Sequence, residues 1–422
     1  MLTLTRVRSR GWVIATAFLA LITSPSLIAD PGIIDVTAYG ATPNNPADDD
    51  TGPIQAAINA AAATGSVVYF PKGQYDLDGT LQPNLASGRV NLRGAGMEIS
   101  ILAWRRNVNG IQASYTTAQF YDRSPLTISD LTLASSNGNG ASALFVSFVQ
   151  TGAISIVAQT VRVFNVEIRP EPQLNLAAGW GNGVYLNNAW NAHLNDLLIQ
   201  YPVANGIELE GQSNDVSLSK VKIFGRNAAQ GGTARGILIG QQVEGPIISH
   251  ATILGVGKGI DINTTCNDIL PGCRPSGFID NNFINAEDIG ITVWNHNQVG
   301  ITSNLIYQGV PGPAGTPLHQ FIGIYFSNAG QARLSGNNIG YTGSASGASY
   351  GIVGDMSTSS ITGTVIDNFT NTSGYYSIGM FFPPTSSRNT IVGNIMLLQP
   401  GTTFIANQGT GGNILSANTT QP

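Results

Sequence analysis

Eight times along the chain a glycine is followed by an apolar-x-apolar run, beginning at Gly183, Gly206, Gly236, Gly259, Gly290, Gly323, Gly351 and Gly379. In an extended strand the first and third residues after the glycine point one way and the second and fourth the other. With the apolar pair turned inward, the outward pairs read Tyr185/Asn187, Glu208/Glu210, Leu238/Gly240, Asp261/Asn263, Thr292/Trp294, Tyr325/Ser327 and Val353/Asp355. Glu208, Glu210 and Asp261 are therefore carboxylates gathered on one outer face, and the pattern itself does not require them. If successive runs stack as hydrogen-bonded strands, Glu208 and Glu210 lie about 6 to 7 Å apart and Glu208 and Asp261 about 9 to 10 Å apart. Both separations fall near the roughly 6.5 to 9.5 Å that inverting glycoside hydrolysis uses, where one carboxyl protonates the leaving oxygen and another activates water. Tyr185, Trp294 and Tyr325 on the same face offer rings against which sugars stack.

A different chemistry draws on the same face. Removing the C5 proton of a uronate needs a base and a cation against the sugar carboxylate; Arg235 and Lys258 immediately precede Gly236 and Gly259, and Tyr185 or His193 is a candidate base. In that lyase or epimerase reading Ca²⁺ can bridge Glu208, Glu210 or Asp261 to a polyanion, whereas hydrolysis requires no cofactor. His296, two residues after Trp294, is a candidate ligand contact on a turn, and His319 sits in a proline-rich loop that can overhang the face. A third reading keeps the face as a non-catalytic binding surface for glycan. No Gly-x-Ser-x-Gly elbow supports a serine hydrolase.

The elements that must hold these residues are repeats. A six-residue phrase recurs at Ile128, Val163, Leu194, Leu218, Ile248, Ile279, Ile301, Leu334, Ile361 and Ile391, with copies about 22 to 35 residues apart, the spacing of one solenoid coil. Each glycine run lies upstream of such a phrase, so every coil supplies at least two strands. A single unit such as Asn205–Gly225 cannot bury its own apolar face; a stack can. Asn282, Asn304, Asn337 and Asn394 share one slot of the phrase, which predicts a buried ladder of amides satisfying one another and turn carbonyls.

Composition agrees. The 422 residues include 51 glycines, 42% are hydrophobic and only 10% are charged, which favours strands over long surface helices. Arg6, Arg8 and Arg10 precede an uncharged apolar run, Gly11 to Ile22, and then small residues near Ala29, the layout of a secretory signal peptide over residues 1–29. The run is shorter than the roughly 20 residues that span a bilayer, so no membrane attachment is expected after cleavage. Cleavage removes three of the 19 Lys and Arg and none of the 24 Asp and Glu, leaving a formal charge of −8, which argues against a nucleic-acid partner. Cys266 and Cys273 fall in one loop-like segment of an exported chain and are expected to form a local, structural disulfide; no set of neighbouring His or acids makes a metal site of them.

Residues 33 to 102 carry a more specific pattern. Ile33 to Val36 reads as a strand; Asp50 or Thr51 caps a helix with Pro53 in its first turn and Ile54, Ala57 and Ile58 on its buried face; Val67 to Phe70 is a second strand that ends at Pro71 and Gly73. Together with Leu92-Arg93-Gly94-Ala95-Gly96, this stretch resembles the N-terminal signature of the pectate lyase superfamily, specifically its rhamnogalacturonase/epimerase-type right-handed parallel β-helix proteins. The resemblance implies that the helix closes the N-terminal end of the solenoid. It implies little about chemistry, because that superfamily includes hydrolases, lyases, epimerases and non-catalytic phage adhesins. The Asn-Thr-Asp, Asp-Asp, Gly-His-Gly and Arg-Ile-Lys motifs of the polygalacturonase-type branch and the Asp-Pro-His motif of the alginate epimerases are not found, so no catalytic residue carries over.

The expectation is therefore an all-β, single-stranded right-handed parallel β-helix over residues 30–422, with an N-terminal cap region at 33–102 and coils over about 120–420, secreted to the periplasm or beyond. Its partner is a polysaccharide substrate. Glu208, Glu210 and Asp261 carry the chemistry and Tyr185, Arg235, Lys258, Trp294, His296 and Tyr325 the substrate contacts. Hydrolysis is placed ahead of lyase or C5-epimerase chemistry on a uronate-containing glycan, and the sequence specifies no oligomeric state.

Overall fold

The computed structural model describes residues 32–421 except 86–87, 117–125, 137–138, 150–160, 174, 227–233, 264–275, 309–319, 342–348, 369–376, 398–402 and 410. The leader, Cys266, Cys273 and His319 lie outside the described residues.

The chain is a right-handed parallel β-helix. Among the described residues the strand pairings are parallel and join one coil to the next, in register apart from shifts in three pairings: Asn205–Glu210 pairs with Trp180–Asn187 before it and with Arg235–Ile239 after it. The coil that begins at Asn205 contributes three strand segments, one more than the two recurring phrases require, whereas Leu126–Ser135, Val161–Pro170 and His193–Gln200 each carry the six-residue phrase as one strand. The glycine run makes the first; the six-residue phrase breaks into the other two, as in Ser217–Ser219 and Lys222–Phe224. The cause is a single left-handed residue in the middle of the phrase, Lys220 at φ 53°, and its counterparts His250, Asn281 and Ser303. That residue turns the chain through a corner, so Leu218, Val221 and Ile223 all point inward although they are spaced three and two apart.

The interior is a set of apolar columns. Ile207, Ile237, Ile260, Ile291, Ile324 and Ile352 stack one above another by register and all are fully buried. Each such side chain contributes on the order of 1.5 to 3 kcal/mol by leaving water. The glycine that opens each run is needed for a related reason. A Cβ at Gly290 would stand 2.2 Å from the Ile306 Cγ2 and 2.5 Å from the Gly323 carbonyl oxygen, so the isoleucine at the end of the six-residue phrase packs directly on bare backbone. The two phrases recur together because they touch.

The expected asparagine ladder is present over Asn282, Asn304 and Asn337, whereas Asn394 is separated from them by Thr364 and donates to Asn418 Oδ1 at 2.9 Å. Asn282 Nδ2 donates to Asn304 Oδ1 at 2.9 Å, and Asn304 Nδ2 to Asn337 Oδ1 at 3.0 Å. The same amides also reach the carbonyls of Ile248 and Ile279 across the corner.

At the N-terminus the helix Thr51–Thr64 buries Ile54, Ala57, Ile58, Ala61 and Ala62 and packs on Ile33–Asp35, Val67–Phe70 and Val90–Gly94, closing that end of the stack. Asp50 occupies the N-cap position, but its side chain does not cap the helix: it accepts from the Thr42 amide at 2.8 Å instead. The Thr51 amide is taken by Asp49 at 3.0 Å.

Candidate functional site

Parallel register fixes how the outward residues line up. One row runs Phe145, Tyr185, Glu208, Leu238, Asp261, Thr292, Tyr325 along the axis. Beside it run Asn182, Asn205, Arg235 and Lys258, each three residues before the outward residue of its own coil, with Asn205 and Arg235 opening their strands. Along the other side Asn187 stands next to Glu210, and Asn263 next to Trp294. From Tyr185 to Tyr325 there are five coil steps, about 24 Å, which makes a long face suited to a chain molecule rather than a small one.

The three acids differ sharply in environment. Glu208 is partly buried and accepts from Asn205 Nδ2 at 2.9 Å; Asn205 in turn donates to Asn182 Oδ1 at 3.1 Å, and Asn182 reaches Ser142 Oγ at 3.4 Å. Burial, first, and then the nearby Glu210 charge push the Glu208 carboxyl up, against the opposing pull of the Asn205 bond and the Arg235 charge. Glu210 lies over Gly240 and accepts from the Gln241 backbone amide at 2.9 Å. Asp261, only 2% exposed, is held by two cations: Arg235 Nε at 2.7 Å and Lys258 Nζ at 3.1 Å meet the same carboxylate oxygen. Arg235 and Lys258 themselves remain about a third exposed or more, at 40% and 34%. Arg235 reaches Asp261 through Nε, and no partner for its terminal nitrogens is found among the described residues.

Tyr185 is the neighbour of Glu208 one coil away. Its ring stacks on Phe145 at 4.9 Å between centroids and 8° between planes. Burial and the Glu208 and Glu210 charges raise its phenol, so the hydroxyl keeps its proton at neutral pH. Trp294 is 47% exposed and stands free for contact, and Tyr325 is half-buried beyond Thr292. The site thus assembles Tyr185, Glu208, Glu210, Arg235, Lys258 and Asp261 on one face, with Trp294 and Tyr325 farther along it.

Two histidines fall elsewhere. His193 lies in His193–Gln200, which pairs with Val161–Pro170 and Ser217–Ser219 on the next face around the coil, so it cannot serve as base here. His296 corrects the expectation of a ligand contact. Asn295 at φ 52° turns the chain after Trp294, and the next residue points into the stack with no exposure at all. Neither ring nitrogen of His296 has a hydrogen-bond partner among the described residues, and burial holds the imidazole down at about 4.

That burial has a measurable consequence. The folded state takes up this proton less readily than the unfolded chain, whose histidine titrates at its ordinary value. The stability that a neutral His296 permits is therefore complete above about pH 6.5 and is lost as pH falls toward 4. At about 1.4 kcal/mol per tenfold change in proton affinity, the loss amounts to about 3 kcal/mol. His296→Phe fills a similar volume without titrating, and urea midpoints at pH 7 and pH 4.5 should separate much less for the variant than for the parent. Equal shifts for the two proteins would contradict this assignment.

Sequence reasoning missed two features of the site. The relay Ser142–Asn182–Asn205 behind Glu208 was signalled by an Asn-Gly pair opening two successive runs, where later coils have Arg-Gly and Lys-Gly. Phe145, which supports Tyr185, sits in a coil that lacks the glycine pattern and so had no visible register.

Among the described residues no group of three or more His, Cys, Asp and Glu is arranged to hold a metal ion. The donor set also speaks against Ca²⁺ bridging through Asp261, because one oxygen of that carboxylate already receives both cations.

Comparison with known proteins bears on the fold and lineage. Over 114 residues the chain is 37% identical to mannuronan C5-epimerase AlgE3 of Azotobacter vinelandii, a match covering 25% of this chain and 6% of that protein. Over 100 residues it is 38% identical to AlgE1 of the same organism, covering 22% and 7%. The chain thus spans a small part of these relatives. Among solved structures, the A-module of A. vinelandii mannuronan C-5 epimerase AlgE4 superposes with a TM-score of 0.61 at 16% identity, over 92% of this chain and all of that one. A tailspike of the E. coli bacteriophage HK620 in complex with a hexasaccharide gives a TM-score of 0.51 at 12% identity, over 87% and 71%. Residues 33–261, more than half of the chain and all of the site as far as Asp261, match the family described as rhamnogalacturonase A/epimerase, pectate lyase-like. The chain belongs to that family.

Proposed function

We propose that this protein is a polysaccharide-active enzyme that removes the C5 proton of a uronate residue, acting as a C5-epimerase or lyase outside the cytoplasm. The observation that carries the reading is the pair of half-exposed cations, Arg235 and Lys258, set beside a partly buried glutamate whose carboxyl is raised. The C5 hydrogen of a uronate is acidic only when the charge that develops on its carboxylate is offset, and a guanidinium with free terminal nitrogens is suited to grip that carboxylate. Glu208 then accepts the proton, and Tyr185, protonated at neutral pH, returns one. Delivered to the opposite face of C5 it inverts the centre; delivered to the departing O4 it completes elimination. Phe145 fixes the Tyr185 ring, and Asn205 fixes Glu208.

Hydrolysis, ranked first on sequence alone, is less well supported. It needs a second acid free to activate water, and Asp261 is buried in its ion pairs while Glu210 is committed to the Gln241 amide. The net negative charge of the chain does not weigh against a polyanionic glycan at this face, because both cations sit on the face itself. The epimerase activity named for the relatives supports the same choice, though their overlap with this chain is short.

Arg235→Gln tests the assignment. Lys258 still pairs with Asp261, so folding should persist, while kcat/KM on polymannuronate or polygalacturonate is expected to fall by about tenfold or more, with kcat lowered as well as KM raised because the charge offset by Arg235 develops in the transition state. Unchanged KM and kcat would remove Arg235 from the site. Binding without turnover by the parent protein across a broad panel of glycans would favour the non-catalytic reading.

A further inference from the structure

A second groove lies on a different face and farther along the solenoid. It has a volume of about 710 Å³ and is lined by Phe278, Gln298, Gln331, Arg333, Thr358 and Arg388 among others. Its floor is the row Phe278, Gly300, Arg333, Ser360, Thr390. This row continues the face of His193, not that of Glu208. Its rim is made by corner residues that all adopt left-handed backbone, Gln298 at φ 60°, Gln331 at 55°, Thr358 at 54° and Arg388 at 55°. Gln298 Nε2 donates to Gln331 Oε1 at 3.0 Å, tying two rim positions together.

We propose that this groove is a second binding site, which holds an acidic glycan chain by its carboxylates while the residues at Glu208 do the chemistry. Three observations point to that ligand. Arg333 and Arg388 are both exposed, and neither guanidinium pairs with a carboxylate among the described residues, unlike Arg105, Arg169 and Arg235. Along the axis they stand two coil steps apart, about 9 to 10 Å, with Arg388 offset by two residues onto the rim beside Thr390, a spacing on the scale of two pyranose rings of an extended chain. Phe278 is 59% exposed, and its ring lies over Gly300, where a Cβ would come within 3.0 Å of it, so a flat apolar surface is presented next to the cations. Ring, amides, hydroxyls and two unpaired guanidinium groups in one concavity are what a carboxylated sugar chain requires. The inference uses none of the residues assigned to the reaction and stands apart from the C5 chemistry. An exported enzyme on a polymer gains from such a site by raising the local concentration of its substrate.

The full-length protein carrying Glu208→Gln, titrated calorimetrically with galacturonate octamers, should show two binding events. Adding Arg333→Gln and Arg388→Asn should remove one of them and weaken overall affinity by about tenfold or more. Asparagine tolerates the left-handed backbone at position 388, and both sites are exposed, so the fold should be unaffected; an unchanged thermal transition checks this. Carboxyl-reduced, neutral octamers should not occupy the groove. Identical titrations with and without the two arginine changes would overturn the proposal, as would loss of both events on Arg235→Gln alone. Self-association of the parent protein that disappears with the arginine changes would assign the groove to a second copy of this chain instead. The event that remains rests on the C5 reading: if that reading fails, the parent shows a single event that the two arginine changes abolish, and product analysis finds no C5 chemistry, so the two failures are distinguishable.

Discussion

Glu208→Gln is expected to lower turnover on a uronate polymer by about 10²- to 10⁴-fold, the range that loss of a positioned proton-transfer group produces. Affinity should change little, because the amide still accepts from Asn205 Nδ2 and keeps the side chain in place. The pH profile adds a sign. Burial and the Glu210 charge raise the Glu208 carboxyl, so the parent enzyme should gain activity with rising pH through a limb that lies above the ordinary glutamate range. Removing the neighbouring charge with Glu210→Gln should move that limb to lower pH, since one of the causes of the rise is gone. A limb that stays where it was would mean that Glu208 is not the titrating base. Residual turnover of the Glu208→Gln protein above a tenth of the parent would mean the same.

The second large effect concerns the stack on which the site is built. Asn304→Ala is expected to destabilise the fold by about 4 kcal/mol, as several buried groups lose partners at about 1 to 3 kcal/mol each. The Asn282 amide N–H bonds to Asn304 Oδ1 at 3.0 Å, and Asn304 Nδ2 reaches the Ile279 carbonyl at 3.0 Å. Alanine orphans both in the interior and interrupts the amide chain between Asn282 and Asn337. In a solenoid each coil contacts chiefly its neighbours, so the damage should be greatest near coils 248–339. Hydrogen exchange should show early opening there while the N-terminal cap stays protected. Denaturant melts that superpose on those of the parent would contradict the ladder as a stabilising device.

These two sites also show what the sequence made legible. The Asn304 slot was readable because its neighbours Asn282, Asn337 and Asn394 repeat it, and a repeated buried amide has one economical explanation. Glu208 was readable as a departure: its coil carries an acid where the coils on either side carry Tyr and Leu. The third strand segment of the Glu208 coil was also written in the chain, in the odd spacing of Leu218 and Val221, which a straight strand would send to opposite faces. What stayed hidden depends on side-chain direction after a corner. His296 follows Trp294 by two and reads as its companion, yet one left-handed residue at Asn295 sends it inside. Asp261 looked equivalent to Glu208 because register gives it the same row; only its burial beneath Arg235 and Lys258 distinguishes a paired anion from a working acid. Spacing along the axis could not reveal that, since pairing depends on how long side chains fold over the face.

The central claim is that the face of Tyr185, Glu208, Arg235 and Lys258 removes a proton from C5 of a uronate. Incubating the purified protein with polymannuronate and with polygalacturonate in D₂O, and recording the proton spectrum of the product, tests it most directly. The expected result is either deuterium at an inverted C5 or an unsaturated non-reducing end, in both cases without the hydrolytic release of saturated fragments, and lost in the Glu208→Gln protein. New saturated reducing ends with every C5 proton retained would contradict the claim and return the site to glycoside hydrolysis.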